Sequence, residues 1–199
     1  MISRRILLFV GTLVVAGMML APPVIASDPD AFVQATGKQA FNSLGGEISD
    51  AERAKRFRDI LTQRFDLPTI AKFVLGRYWR IADKKQRGEY VHLFEEFIVQ
   101  AYAHRFKDLS GKEFLVKQTR ELTARDKLVL SEVIVAPGRP PIRVNWRVRG
   151  PDSEYRIIDV MVEGISMSVT QRDEFAAVIR RSGGKVEGLL VALRNKTTK

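Results

Sequence analysis

The chain carries few residues that could do chemistry. It has two histidines, His92 and His104, and no cysteine. If both histidines sit on one helix, their twelve-residue spacing separates them by about 18 Å along the axis and about 120° around it. They cannot then share a metal ion or a proton. His92 falls opposite the apolar stripe and reads as a surface residue. His104 falls at the stripe's edge and reads as a partly buried structural one. Asp159 and Glu163 share one face of a strand about 13 Å apart, too far for a retaining carboxylate pair and beyond the usual inverting range. No nucleophile elbow, phosphate loop or zinc spacing is present; the glycine pairs in "LGGE" and "SGGK" fit helix stops. The absence of cysteine excludes a disulfide scaffold and thiolate metal sites. A small enzyme with Asp159 as a lone base has no positive support.

The elements that would position a site divide the chain in two. The first half reads as helix. Asp28 before Pro29 is a cap followed by proline, and Phe32, Thr36, Ala40, Phe41 and Leu44 follow at helical spacing. Asp50 opens a second helix with Phe57, Ile60, Leu61 and Phe65 on one side. "DLP" at 66–68 repeats the cap signal. The strongest helix runs from Lys84 to Leu109 behind a capping box of Asp83 and Gln86, with Tyr90, Phe94, Phe97, Tyr102 and Phe106 among its inward residues. After Gly111 the period becomes two. Phe114–Thr123, Lys127–Val135, Ile142–Arg149 and Tyr155–Met167 read as four strands joined by short links, an antiparallel meander. In "IRVNWRVR" the residues Ile142, Val144, Trp146 and Val148 share one face and three arginines and Asn145 the other. In "DVMVEGISMSVTQRDEF" the apolar phase slips at Gly164, which reads as a bulge that bends the sheet; Thr170 then caps a helix. Two helices close the chain. Helices followed by an antiparallel sheet give an α+β fold.

The first 26 residues read as a leader rather than as part of the fold. "MISRR" is a basic start, Ile6–Leu20 an uncharged apolar run, and "APPVIAS" a cleavage region with a cut after Ala26. This is the pattern of a cleavable signal peptide, and the apolar run is short for a membrane span of about 20 residues. Removing it leaves 31 basic residues against 23 acidic, a net charge of +8 on 173 residues, the size of one domain. The compartment is then a bacterial periplasm. Export argues against nucleic acid as the target of the positive charge and leaves anionic lipid headgroups or a plain solvated surface.

Two stretches go further: "VLGRYWRIADKKQRGEYVHLFEEFIVQAY" at 74–102, and "GRPPIRVNWRV" followed by "YRIIDVMVEGISMSVTQRDEF" at 138–175. Together with the C-terminal "GGKVEGLLVAL" they resemble the MlaC family, also called the toluene-tolerance auxiliary transport family. The resemblance covers the leader and essentially all of the mature chain. It implies a periplasmic phospholipid-binding protein with an NTF2-like, cystatin-related α+β fold: a curved antiparallel sheet of about four strands covered by helices. It places a single lipid-binding domain over 27–199. The helical part spans about 28–110, including a helical addition at about 46–82; the sheet spans about 113–168 and the C-terminal helices about 171–195. It implies a monomeric carrier without cofactor, metal or catalytic group. This carrier exchanges phospholipid between an inner-membrane ABC transporter complex and an outer-membrane lipoprotein–porin complex, keeping outer-membrane lipid asymmetry. A hopanoid-associated branch of the family and an NTF2-like enzyme are the alternatives.

The resemblance also implies which residues line or floor the pocket. Val74, Leu75 and Tyr78 lie before the long helix, and Phe94, Phe97, Ile98 and Tyr102 lie on it. Val144, Trp146, Ile158, Val160 and Val162 come from the last two long strands, and Ile165 and Met167 from beyond Gly164. By charge alone, and not by the resemblance, Arg77, Arg80 or Arg143 reads as a basic residue at the mouth. The chain departs from the family pattern only in a short loop between the last two strands and an early end to the tail.

Overall fold

The computed structural model describes residues 28–109, 111–150 and 154–197; the leader expected at 1–26 lies outside them. Five α-helices come first: α1 (Pro29–Leu44), α2 (Asp50–Arg64), α3 (Leu67–Leu75), α4 (Tyr78–Ile81) and α5 (Lys84–Tyr102). Each boundary has a local cause. Asp28, Ser49 and Asp66 accept a hydrogen bond from a backbone N–H of the first turn they cap, and Asp83 with Gln86 forms both halves of a capping box. The helix expected to run to Leu109 stops being α-helical at Tyr102 and tightens into a 3₁₀ helix, Ala103–Leu109. The tighter winding accompanies the packing of Phe106 against Phe57 of α2, with ring centroids 5.3 Å apart. The Lys107 carbonyl accepts from Gly46 N–H in the α1–α2 loop.

The sheet is an antiparallel meander of β1 (Glu113–Glu121), β2 (Asp126–Ile134), β3 (Ile142–Arg149), β4 (Arg156–Val162) and β5 (Ile165–Ser166), in that spatial order. It therefore has five strands where four were expected, because the last expected strand breaks in two. Glu163 and Gly164, at φ 50° and 81°, form a two-residue hairpin that sets Val162 opposite Ile165. Positive φ at both positions is the geometry that matches strand twist in so short a loop. Gly164 is thus a turn that reverses the chain, not a bulge. Helix α6 (Met167–Arg181) starts at once, capped by Ser166 and not by Thr170, and α7 (Val186–Thr197) closes the fold.

The phase shift lies lower in β4. Arg147 faces Asp159 but Val148 faces Ile157, so Ile158 is an extra residue in the ladder. A second irregularity between Val116 and Gln118 offsets β1 from β2. Bulges of this kind bend and twist the strands that carry them. Parts of both sides of the sheet find partners outside the ladder. Along β4, Phe65 pairs with Ile157 and Asp66 N–H donates to the Ile157 carbonyl at 3.0 Å, below the stretch taken by β5. At β1 the Gln34 side chain donates to the Phe114 carbonyl and accepts from Val116 N–H, at 3.0 and 3.1 Å, standing in for a neighbouring strand. Helix α1 reaches β1 closely at Gly37, where a Cβ would fall 2.4 Å from the Phe114 ring.

The outer face of the sheet holds one buried charge. Asp126 is 3% exposed and accepts from Arg149 at 2.6 and 2.9 Å and from Arg147 at 2.7 Å. The two hydrogen bonds from Arg149, and then the one from Arg147, hold its pKa down to about 2 from 3.8 against the opposing cost of burial. A depressed carboxylate pKa stabilises the fold above the unfolded value and loses that contribution as pH falls through the folded one. Both arginines are more than a third exposed, so the contribution is of order 1–2 kcal/mol. Thermal unfolding of the wild type should show this loss between pH 4 and 2; Asp126→Asn should be destabilised near neutrality and flatter across that window.

Candidate functional site

Two apolar clusters organise the interior. The sheet cluster joins Val33 of α1 to Phe114, Val129, Val133, Val148, Tyr155 and Ile157. Register puts Val129, Ser131 and Val133 of β2 on the same face as Trp146, Val144 and Ile142 of β3, and Val160 and Val162 of β4 continue that face. Helix α1 seals the part over β1 and β2. Toward β3 and β4 the cover thins: Val144, Trp146, Val160 and Val162 are only half-buried. Trp146 is held in place there. Its indole N–H donates to Ser131 Oγ at 2.9 Å, the Ser131 hydroxyl donates to the Val144 carbonyl, and its ring meets Phe114 edge-on at 6.0 Å.

The helical cluster lies across α3, α5, α6 and α7. Tyr90 and Phe94 meet Phe175 of α6 with ring centroids at 6.3 and 6.2 Å, and Phe97 meets it at 5.5 Å. Burial raises the Tyr90 hydroxyl well above its usual pKa, and that hydroxyl donates to the Ala71 carbonyl. Val74, Leu75, Tyr78 and Phe94, all expected at the pocket, belong to this cluster and are at most 6% exposed. Phe97, Ile98 and Tyr102 are half-buried at its margin. Phe97 also carries the Lys196 ammonium of α7 over its ring at 5.3 Å.

Phe41 of α1 and Phe65 after α2 pack against both clusters. They mark a seam between sheet and bundle. Val144, Trp146 and Val160 lie half-buried at the margin of the sheet cluster, and Ile98 and Tyr102 lie half-buried at the margin of the helical one. Phe41 and Phe65 appeared in the sequence only as members of helical stripes; nothing local marks them as shared. Ile157 replaces Ile158 as the sealed residue at the base of β4, at 0% exposure, because of the bulge. Ile165 is 59% exposed on the two-residue β5, and Met167 is half-buried at the start of α6. The structure does not join either to the seam.

The residues named at the seam are apolar or aromatic. His92 and His104 are both exposed, His104 contrary to its expected partial burial, because it lies on the 3₁₀ helix. Asp159 accepts from Val160 N–H, Ser168 N–H, the Ser168 hydroxyl and the Ser166 hydroxyl, at 2.6–3.1 Å. Four donors fix the carboxylate as the joint between β4 and α6. Among the described residues no group of three His, Asp or Glu side chains is placed to hold a metal ion. Of the basic residues expected at a mouth, Arg143 is paired with Glu163 at 2.9 Å. Arg77 and Arg80 instead line a surface groove of about 480 Å³ with Tyr78, Ile81, Arg180 and Gly184.

Comparison with known proteins fits this arrangement. The sequence profile described as MlaC protein matches residues 35–195, from within α1 to within α7. The chain belongs to the MlaC family. A solved structure from Ralstonia solanacearum superposes with a TM-score of 0.72 at 22% sequence identity, covering 86% of this chain and 98% of that one. It is described as a phospholipid-binding protein in complex with a phospholipid. At that identity the likeness establishes the shared fold. The MlaC profile spans the elements of both clusters except the first turns of α1 and the last residues of α7.

Proposed function

We propose that the protein is a phospholipid carrier that houses acyl chains in the seam between the sheet and the helical bundle. The observation that carries this reading is the set of half-buried apolar side chains at the margins of the two cores, Val144, Trp146 and Val160 on the sheet and Ile98 and Tyr102 on the bundle, with Phe41 and Phe65 packed against both. Membership of the MlaC family and the phospholipid held by the Ralstonia relative support it.

The physics of transfer suits such a site. Two acyl chains bring about 30 methylenes, each favouring an apolar medium over water by about 0.8 kcal/mol. A bilayer offers the same gain. A carrier therefore needs only to match the bilayer and shield the chains in between, which an apolar lining with a rigid Trp146 achieves without directed polar contacts. Binding a lipid from one membrane and yielding it at another then turns on small differences in free energy. We assign the exchange to the periplasm, between an inner-membrane ABC transporter complex and an outer-membrane lipoprotein–porin complex, with outer-membrane lipid asymmetry as the result.

Native mass spectrometry of the mature protein, purified without detergent, tests the reading. It should release an adduct of about 0.7 kDa, the size of a two-chain lipid that such a pocket encloses; the adduct's mass separates a glycerophospholipid from a hopanoid. A protein that carries no lipid, and takes up none from phosphatidylethanolamine and phosphatidylglycerol vesicles, overturns it.

A further inference from the structure

The four-residue helix α4 forms a corner with an unusual surface. Tyr78 anchors it in the helical core at 6% exposure, while Ile81, one turn on, is 65% exposed. Arg77 lies over the Tyr78 ring at 4.9 Å and donates to its hydroxyl. Arg80 and, from the end of α6, Arg180 complete the rim of the groove. Next to it, Arg172 of α6 packs beside Gly76 and over the ring of Phe73 at 5.1 Å, and Phe73 is 42% exposed. Elsewhere Arg58, Arg143, Arg147, Arg149 and Arg194 each meet a carboxylate. Among the described residues Arg77, Arg80, Arg172 and Arg180 meet no carboxylate, and neither do several arginines elsewhere, Arg120 and Arg181 among them; what sets the corner apart is that Arg77, Arg80 and Arg180 gather around one groove.

We propose that this corner docks the protein onto bilayers rich in anionic phospholipid. Guanidinium groups match phosphate oxygens in a planar, two-point geometry, and an anionic leaflet attracts clustered basic side chains. Ile81 lines the groove with Arg77, Arg80 and Arg180, and Phe73 lies partly exposed under Arg172. In water they are exposed apolar surface; at an interface they enter the headgroup boundary, the arrangement by which peripheral proteins hold a membrane. The occupant follows from shape as well as charge. A protein partner would have to supply a separate pocket for each apolar projection, whereas a bilayer accepts both with none. The surface is distinct from the sheet–bundle seam, and the inference stands whether or not the seam holds lipid.

Vesicle flotation of the mature protein tests it. The wild type should float with phosphatidylglycerol–phosphatidylethanolamine vesicles, not with phosphatidylcholine vesicles, and should be released by salt well above about 0.15 M. The Arg80→Glu/Arg180→Glu variant, and separately Ile81→Asp, should bind at least about tenfold less. Arg120→Glu on β1, a change of equal charge on a different element, should bind almost as the wild type. Circular dichroism confirms folding, and the bound-lipid mass of each variant reads the seam independently. A wild type that ignores anionic vesicles overturns the proposal and turns attention to an acidic protein partner. Double variants that float normally, or that lose vesicle binding only together with their bound lipid, overturn it as well.

Discussion

Replacing Val160 by arginine is expected to yield a folded protein stripped of lipid. Val160 lies opposite Trp146 on β3, half-buried among the apolar residues of the seam. In the lipid-free protein a long cationic side chain at this edge extends its head to water along an apolar stem, so the fold tolerates it. With acyl chains in place the guanidinium is enclosed without a partner, at a cost of several kcal/mol. Each 1.4 kcal/mol is a factor of ten in binding, so occupancy should drop at least about tenfold. The ratio of loaded to empty protein in native mass spectra reads the effect; melting temperature and circular dichroism confirm folding. Met161→Arg is the control, because register places Met161 on the opposite face of the same strand, and it should keep its lipid. Should a folded Val160→Arg protein carry its normal lipid load, the seam is not where acyl chains reside.

What the sequence revealed tracks how local each determinant is. The caps at Asp28, Asp66 and Asp83 were legible because the cap and the amide it satisfies lie within three residues of each other. The first three strands were legible because period two survives wherever one face is covered. Beyond them the signals are not local. "RIIDVMV" carries two adjacent isoleucines, and only pairing with β3 decides that Ile157 is in register and Ile158 is extra. The slip at Gly164 was seen, but a bulge and a two-residue turn leave the same trace in the pattern. The left-handed backbone at Glu163 distinguishes them, and Glu163 is not a residue that signals it. The Arg143 bonds to the Glu163 carboxylate hold that corner.

The seam was the least legible feature. Phe94 and Trp146 read alike as large inward residues, yet one is 2% exposed within the bundle and the other half-buried beside a second core. Inward periodicity shows that a side chain leaves water, not which of two cores it joins or whether that core is filled. The expected lining thus divides into residues that build the bundle, Val74, Leu75, Tyr78 and Phe94, and residues left half-buried at the margins of the two clusters. Only the second group is free to meet a ligand without breaking the fold, and the substitutions chosen to test lipid binding follow from that division.

The largest stability effect is expected away from the seam, at Arg53. This arginine is 1% exposed and its guanidinium donates to the carbonyls of Leu44, Gly46 and Ile48. These are the end of α1 and the loop that turns into α2. The nearest carboxylate, Asp50, is 4.0 Å away with a side chain 91% exposed, so the carbonyl dipoles stabilise the buried cation more than that ion pair does. Arg53→Met keeps the stem but leaves the Leu44 and Ile48 carbonyls without donors, each costing about 1–3 kcal/mol when buried, while the Gly46 carbonyl keeps the Ile48 N–H. Removing a cation that was costly to desolvate offsets part of this. A net loss of about 3 kcal/mol is expected, a fall in melting temperature of about 10 °C for a domain of this size. Arg53→Lys should restore only part of it, because one ammonium cannot span acceptors that a planar fork reaches together. Urea unfolding of the three proteins gives the comparison. If Arg53→Met unfolds within about 0.5 kcal/mol of wild type, water satisfies these carbonyls and the guanidinium is not what closes the α1–α2 loop. If the loss appears, Phe41 lies within one turn of the affected helix end. Lipid occupancy should then fall in proportion to the disorder of α1, not in the all-or-none manner expected of Val160→Arg.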